Sequence, residues 1–309
     1  MVKISIIGAG NVGGLTAMRL LESGLEADIF LIDIVPGLAK GKVMDLEDAS
    51  AVFKTACRLF SSENIDDLKD SDIVVVTAGL PRKPGMTREE LLRKNAEVLK
   101  TVCLKVRLLA YNSILVVVTN PLDVMTYLAL AITGFRRNKV IGMGASLDSA
   151  RFTNLISREL NVPSTEVEAL VIGAHGEGML PLERLTRIRN VPFDKFLSPE
   201  KIDEVVKGVV SRGAEVVKNL GSGSAYFAPS AAIVVLVKAI TRDEKKIMPV
   251  ACCLEGEYGL DSTCIGVPCR IGRGGIEQVI ELELTPQEKE KLHKSAEQIR
   301  ESAKTIGLT

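Results

Sequence analysis

Six residues near the start of the chain, GAGNVG at 8–13, constrain its fold more than any other feature. They follow an apolar run, VKISII at 2–7, that suits a buried strand. They open a stretch with helical spacing over 11–23 that stops at Gly24. Gly8, Gly10 and Gly13 permit a tight turn and a close backbone approach to a bound group, with Ala9, Asn11 and Val12 between them. The N–H groups of the first helical turn then face an anion. A lone G-x-G-x-x-G string is weak, but this one lies at the strand-to-helix step of a βαβ unit. A second strand over 28–32 ends at Asp33, twenty residues after Gly13. A carboxylate there accepts hydrogen bonds from adenosine ribose hydroxyls and repels a 2′-phosphate. The residues after it are Ile34, Val35 and Pro36, with no cation among them, so the pattern favours NAD over NADP.

Strand and helix signals continue to alternate through the first half. A helix is expected over 37–53, strands over 57–60 and 72–77, a long helix over 87–110, and strands over 114–118 and 140–142. Strands separated by helices predict parallel βαβ units, here an α/β, doubly wound sheet of the Rossmann type. The second half differs. It reads as a helix over 148–160, a strand over 167–172 running into GAHG at 173–176, and helices over 199–220 and 228–240. Glycine-punctuated β signals follow over 248–284, with a charged amphipathic helix over 286–304. This predicts an α+β catalytic domain with antiparallel strands. The change of style places residues 1–145 in an NAD-binding domain and 146–309 in a substrate domain. With 309 residues, 46% of them hydrophobic, the chain can bury cores of that size.

Lys+Arg and Asp+Glu stand at 39 each, so the formal net charge is zero. Such a balance gives no footprint for nucleic acid or an anionic membrane, and any anion recognition must be local. The most apolar stretches, 114–132 and 225–237, are interrupted by Asn120, Pro121 and Asp123 and by Pro229, short of the roughly 20 residues a membrane span needs. The opening apolar run is too short for a secretory signal. A cytoplasmic protein without nucleic-acid or membrane partners is expected. The six cysteines form no paired C-x-x-C units, so no metal site is expected and they read as small core residues. A Cys264–Cys269 disulfide is not expected in a cytosolic setting.

His175, between glycines at a strand end, can act as general acid and base near neutral pH. The other histidine, His293, lies in the charged C-terminal helix and reads as a surface residue. In LDSAR at 147–151, Asp148 and Arg151 are three apart and share a helix face. They are either an ordinary intrahelical ion pair or two tools. As tools, Asp148 orients His175 and stabilises its charged form, and Arg151 grips a carboxylate in two-pronged fashion. Asn120, before Pro121 at a strand end, is either part of a fixed turn, a candidate for a cis bond, or a donor to a reacting oxygen. In AGLPRKPGMTR at 78–88, Arg82 and Arg88 lie beyond a strand's carboxyl end; they are either solvated loop charges beside Lys83, Glu89 and Glu90 or, with Gly79 and Gly85 as hinges, the cations of a lid.

Taken together, GAGNVG, LID, AGLPRKPGMTR, VTNPLDV, LDSARF, GAHGEG and GSGSAYFAP resemble the lactate/malate dehydrogenase family along essentially the whole chain, and within it the lactate dehydrogenase-like malate enzymes of prokaryotes. The resemblance implies reversible NAD-dependent oxidation of (S)-malate to oxaloacetate, with His175 as proton donor and acceptor and Asp148 as its partner. It implies that Arg151 binds the carboxylate next to the reacting carbon, that Arg88 polarises the keto oxygen, and that Asn120 also contacts substrate. Arg82 falls at the position that discriminates substrates: lactate enzymes usually carry Gln there, and arginine suits a second carboxylate. Asn95, Val118, Thr119 and Asn120 correspond to nicotinamide-side contacts, and residues 8–13 with Asp33 hold the pyrophosphate and ribose. A homotetramer or homodimer is implied. One departure is Glu177, where the family usually has Asp. The alternative activity is a lactate or other 2-hydroxyacid dehydrogenase, disfavoured by Arg82. A NAD-dependent glycosidase lacks support because no metal-binding Cys/His group is evident. A silent NAD-binding sensor is opposed by the set His175, Asp148 and Arg151.

Overall fold

The chain is described from a computed structural model, over residues 1–80 and 86–308. The first half consists of β1 (Val2–Ile7), α1 (Asn11–Glu22), β2 (Ala27–Ile32), α2 (Leu38–Phe53), β3 (Arg58–Ser62), β4 (Ile73–Val76), α3 (Arg88–Leu109), β5 (Ile114–Val117), α4 (Leu122–Thr133) and β6 (Val140–Gly142). The second consists of α5 (Ala145–Leu160), β7 (Val167–Glu168), β8 (Val171–Gly173), β9 (Met179–Pro181), β10 (Arg187–Ile188), β11 (Val191–Pro192), α6 (Pro199–Leu220), α7 (Phe227–Thr241), β12 (Lys246–Glu255), β13 (Asp261–Gly272), β14 (Gly275–Val279) and α8 (Pro286–Lys304).

Among the described residues the main sheet has eleven strands, ordered β3-β2-β1-β4-β5-β6-β12-β13-β8-β9, with β14 also on β13. The first six are parallel. The remainder pair antiparallel. This is a Rossmann-like parallel sheet followed by an α/β region with antiparallel strands. Strands β4 and β5 read IVVV and ILVV and are buried at every position, as expected of parallel strands covered on both faces. Ile4 of β1 pairs with Ile29 on one side and Ile73 on the other, so the strand order reverses at β1. Ligands of open α/β sheets bind at that crevice. A second, smaller core gathers Phe152, Ile156, Phe193 and Val209 beside the three-stranded sheet β11-β10-β7.

Several local expectations change. The single strand expected over 167–172 is two, because Val167 and Glu168 pair with β10 while Val171 begins a strand of the main sheet. Helix α5 starts at Ala145, capped at Gly144, rather than at 148. Asp148 therefore lies in its first turn. His293 is half-buried, with Nε2 2.9 Å from the carbonyl of Tyr258, rather than a plain surface residue. All six cysteines are free, and Cys264 opposes Cys253 across β12 and β13. No described helix is long and apolar enough to cross a membrane.

Candidate active site

The glycine turn leaves β1 at the crevice. Gly8 takes φ +105°, a left-handed conformation that L side chains rarely adopt, and its N–H donates to Ile32 at 2.8 Å. Among the described residues, no side chain caps α1, and a Cβ built on Gly10 would meet nothing within 4 Å. Open backbone in front of uncapped N–H groups suits a pyrophosphate. Asp33 holds the turn from β2: its carboxylate accepts from the N–H of Ala9 at 2.6 Å and of Val35 at 2.9 Å. A Cβ on Gly13 would lie 1.9 Å from the Gly8 carbonyl oxygen. Gly13→Ala should therefore lose about 3 kcal/mol of stability and with it NADH binding. Urea denaturation and NADH fluorescence titration check both. An alanine variant with unchanged midpoint and NADH affinity would contradict this packing.

The next two strand ends are stitched together beside the turn. Thr119 donates through Oγ1 to the Ala78 carbonyl at 2.6 Å. Asn95 of α3 is 1% exposed. Its Oδ1 accepts from Leu80 at 2.7 Å and its Nδ2 donates to the Asn120 carbonyl at 2.7 Å. The side chain that resemblance assigned to the cofactor is thus engaged with backbone, and it shapes the site through residues 80 and 120. Asn120 itself is exposed, and the bond to Pro121 is cis. Arg82 lies outside the described residues. Arg88 opens α3, directly after the N-cap Thr87, whose capping box closes with Glu90. Its guanidinium makes a two-pronged pair with Glu177, with Nη1 3.1 Å from Oε2. Both side chains are solvent-exposed, and Arg88 holds the Glu177 carboxyl below its ordinary range. The residue that departs from the family pattern therefore links the start of α3 to the loop carrying His175.

The central constellation comes from α5 and the β8–β9 loop. Asp148 is 1% exposed. Its Oδ2 lies 2.7 Å from His175 Nδ1, and its Oδ1 accepts from Arg151 Nη1 at 3.1 Å. The ion pair and the functional reading are not alternatives, because one carboxylate serves both partners. A carboxylate accepts, so Nδ1 carries the proton and Nε2 is left to exchange one with a substrate. Burial opposes the charged imidazole, but the charge and hydrogen bond of Asp148, with the charge of Asp123, outweigh it and raise the His175 pKa. Gly144 permits the approach of α5: a Cβ there would meet Leu122 at 2.1 Å and the His175 Cβ at 3.0 Å.

Two contributors escaped the sequence reading. Ser149 accepts the N–H of Val171 at 2.9 Å and so ties β8 to the helix bearing Asp148. Lys42 of α2 donates to the Gly10 carbonyl at 3.0 Å, with its ammonium near Asp33. Only helix register separates Lys42 from its exposed neighbour Lys40. Ala39, Val43 and Leu46 form the buried face of α2, and Lys42 flanks it.

Comparisons with known proteins agree over the full length. A family model described as lactate/malate dehydrogenase, NAD binding domain, matches residues 2–142, and one described as lactate/malate dehydrogenase, alpha/beta C-terminal domain, matches residues 145–307. A malate dehydrogenase of Chlorobium limicola is 43% identical over 99% of this chain and 98% of its own. The solved structure of the malate dehydrogenase from Aeropyrum pernix is 42% identical, with a TM-score of 0.94 over 98% of this chain and 97% of that one. A lactate dehydrogenase from Cryptosporidium parvum, solved with lactic acid and nicotinamide adenine dinucleotide, is 36% identical, with a TM-score of 0.95 over 99% and 98%.

Proposed function

The chain belongs to the lactate/malate dehydrogenase family, and from that premise we infer that it catalyses the reversible NAD-dependent oxidation of (S)-malate to oxaloacetate. The observation that carries the site assignment is the shared Asp148 carboxylate, which holds an acid–base group on one oxygen and a substrate-binding cation on the other.

Residues 8–13 with Asp33 would hold NAD, which would supply a hydride acceptor for C2 of malate and, in its reduced form, a hydride donor for oxaloacetate. In oxidation, Nε2 of neutral His175 takes the hydroxyl proton, and Asp148 stabilises the imidazolium that results. In reduction, protonated His175 gives the proton to the keto oxygen. Arg151 binds the carboxylate beside C2. Arg88, released from Glu177, and Asn120 meet the reacting oxygen. Arg82 meets the far carboxylate. Residues 8–13 with Asp33 hold the pyrophosphate and ribose, and Val118, Thr119 and Asn120 border the nicotinamide, with Asn95 supporting them. Residues 1–145 form the NAD-binding domain and 146–309 the substrate domain. The enzyme works in the cytoplasm as a homotetramer or homodimer, with no nucleic-acid or membrane partner.

The fold is common to relatives named for lactate and for malate, so selectivity belongs to the site rather than to the scaffold. A monocarboxylate substrate would leave Arg82 desolvated and unpaired once the lid closed, which is unfavourable. NADH-dependent reduction of oxaloacetate is the assay for the activity. Arg151→Lys keeps the charge and loses the planar two-pronged geometry, so KM for malate should rise about tenfold, the equivalent of one charge-assisted hydrogen bond. An unchanged KM would remove Arg151 from the substrate.

A further inference from the structure

The NPLDV stretch at 120–124 supplies Asn120 and Pro121 to the readings above, and leaves its acid without a part. Asp123 lies in the first turn of α4 and is 4% exposed. Its Oδ2 accepts the backbone N–H of His175 at 2.8 Å. Its Oδ1 is buried and has no hydrogen-bond partner among the described residues. A buried carboxylate so poorly satisfied is costly as an anion unless a cation faces it. His175, when protonated, is such a cation. Among the described residues, the charged groups facing the imidazole are Asp148 and Arg151 from α5 and Asp123 from α4. Around Asp123 stand His175, Asp148 and the Cys264 thiol of β13. Glu177, two residues along the loop, is engaged with Arg88 at the surface. Burial pushes the Asp123 carboxyl up to about 6, into the range where imidazoles titrate.

The loop that carries His175 has a separate anchor. Ser295 of α8 accepts the N–H of Ala174 at 2.9 Å and donates to the Gly178 carbonyl at 2.9 Å. One hydroxyl thus spans both ends of residues 174–178. With the loop's path held by Ser295, a change at residue 123 acts on His175 rather than on the loop as a whole.

We propose that Asp123 is a positioning residue for proton transfer: it fixes the backbone of His175 and, as a second carboxylate beside Asp148, favours the protonated imidazole. The proposal rests on His175 being the acid–base group. Asp123→Asn keeps an oxygen to accept the His175 N–H and removes the charge. Asp123→Ala removes both. The chain has only two histidines, so NMR titration of the imidazoles resolves His175 from His293 without turnover, with His175→Asn identifying its signal.

In Asp123→Asn the His175 midpoint should fall by about one pH unit, and the acidic limb of malate oxidation should move with it. A carboxylate that served packing alone would leave the titration in place, so an unmoved midpoint overturns the proposal. In Asp123→Ala kcat should fall about tenfold below the Asn variant through misplacement of the imidazole. Equal kcat in the two variants would overturn the backbone role. If the alanine variant does not fold, the asparagine titration decides alone. A His175 signal that shifts as expected in a protein unable to reduce 2-keto acids would refute the proposed activity, and with it the role in proton transfer, and would leave standing only the effect of Asp123 on the imidazole charge.

Discussion

Replacing His175 with asparagine lowers kcat in both directions by about 10²–10⁴, the usual contribution of a positioned acid–base group, while NADH still binds. Asparagine can hydrogen-bond to a substrate oxygen but cannot carry a proton away at neutral pH. The wild-type enzyme should show pH limbs of opposite sense. Malate oxidation needs the neutral imidazole, so its kcat/KM falls as pH drops through the His175 pKa. Oxaloacetate reduction needs the imidazolium, so its kcat/KM falls as pH rises through the same value. Both limbs are displaced upward from the ordinary imidazole value because Asp148 and Asp123 outweigh the effect of burial. The asparagine variant should lose both limbs. A variant that kept wild-type kcat with both limbs intact would move the chemistry to another residue.

Arg82→Gln should lower the preference for oxaloacetate over pyruvate by at least about 30-fold, since losing one partner of a desolvated charge pair costs about 2–5 kcal/mol. Glutamine removes the cation that offsets the second carboxylate, and its neutral amide tolerates the methyl group of pyruvate. Most of the change should appear as lost kcat/KM for oxaloacetate, with a smaller gain for pyruvate. An Arg82→Gln enzyme with undiminished oxaloacetate selectivity would place discrimination elsewhere in the site.

Much of this account is visible in local sequence because its determinants are local. The glycine turn, Asp33 and the parallel strands are set by short-range patterns of apolar runs, turn residues and helix starts. Asp148 and Arg151 are visible as a helical i, i+3 pair, though spacing could not say that one carboxylate would serve two partners. What escaped the reading depends on distant contacts. The break between Val167–Glu168 and Val171–Gly173 arises because the two pieces pair with different sheets, and an apolar run carries no mark of its partner. The hairpin of β10 and β11 turns through Arg189 and Asn190, both at positive φ, where Asn-Gly or Asp-Gly would have been the signal. Ser149, Ser295 and Asp123 are ordinary polar residues whose partners lie 22, 117 to 121 and 52 positions away. Glu177 could be seen to depart from the family pattern, but its pairing with Arg88 required the loop and α3 to be brought together.

The central claim is that this site reads a dicarboxylate. Its most direct test is NADH oxidation by the purified wild-type protein with oxaloacetate and, separately, pyruvate. We expect kcat/KM to be higher for oxaloacetate by at least about 10²-fold, reflecting a second charge pair formed in a water-poor site. Faster turnover of pyruvate would contradict the account.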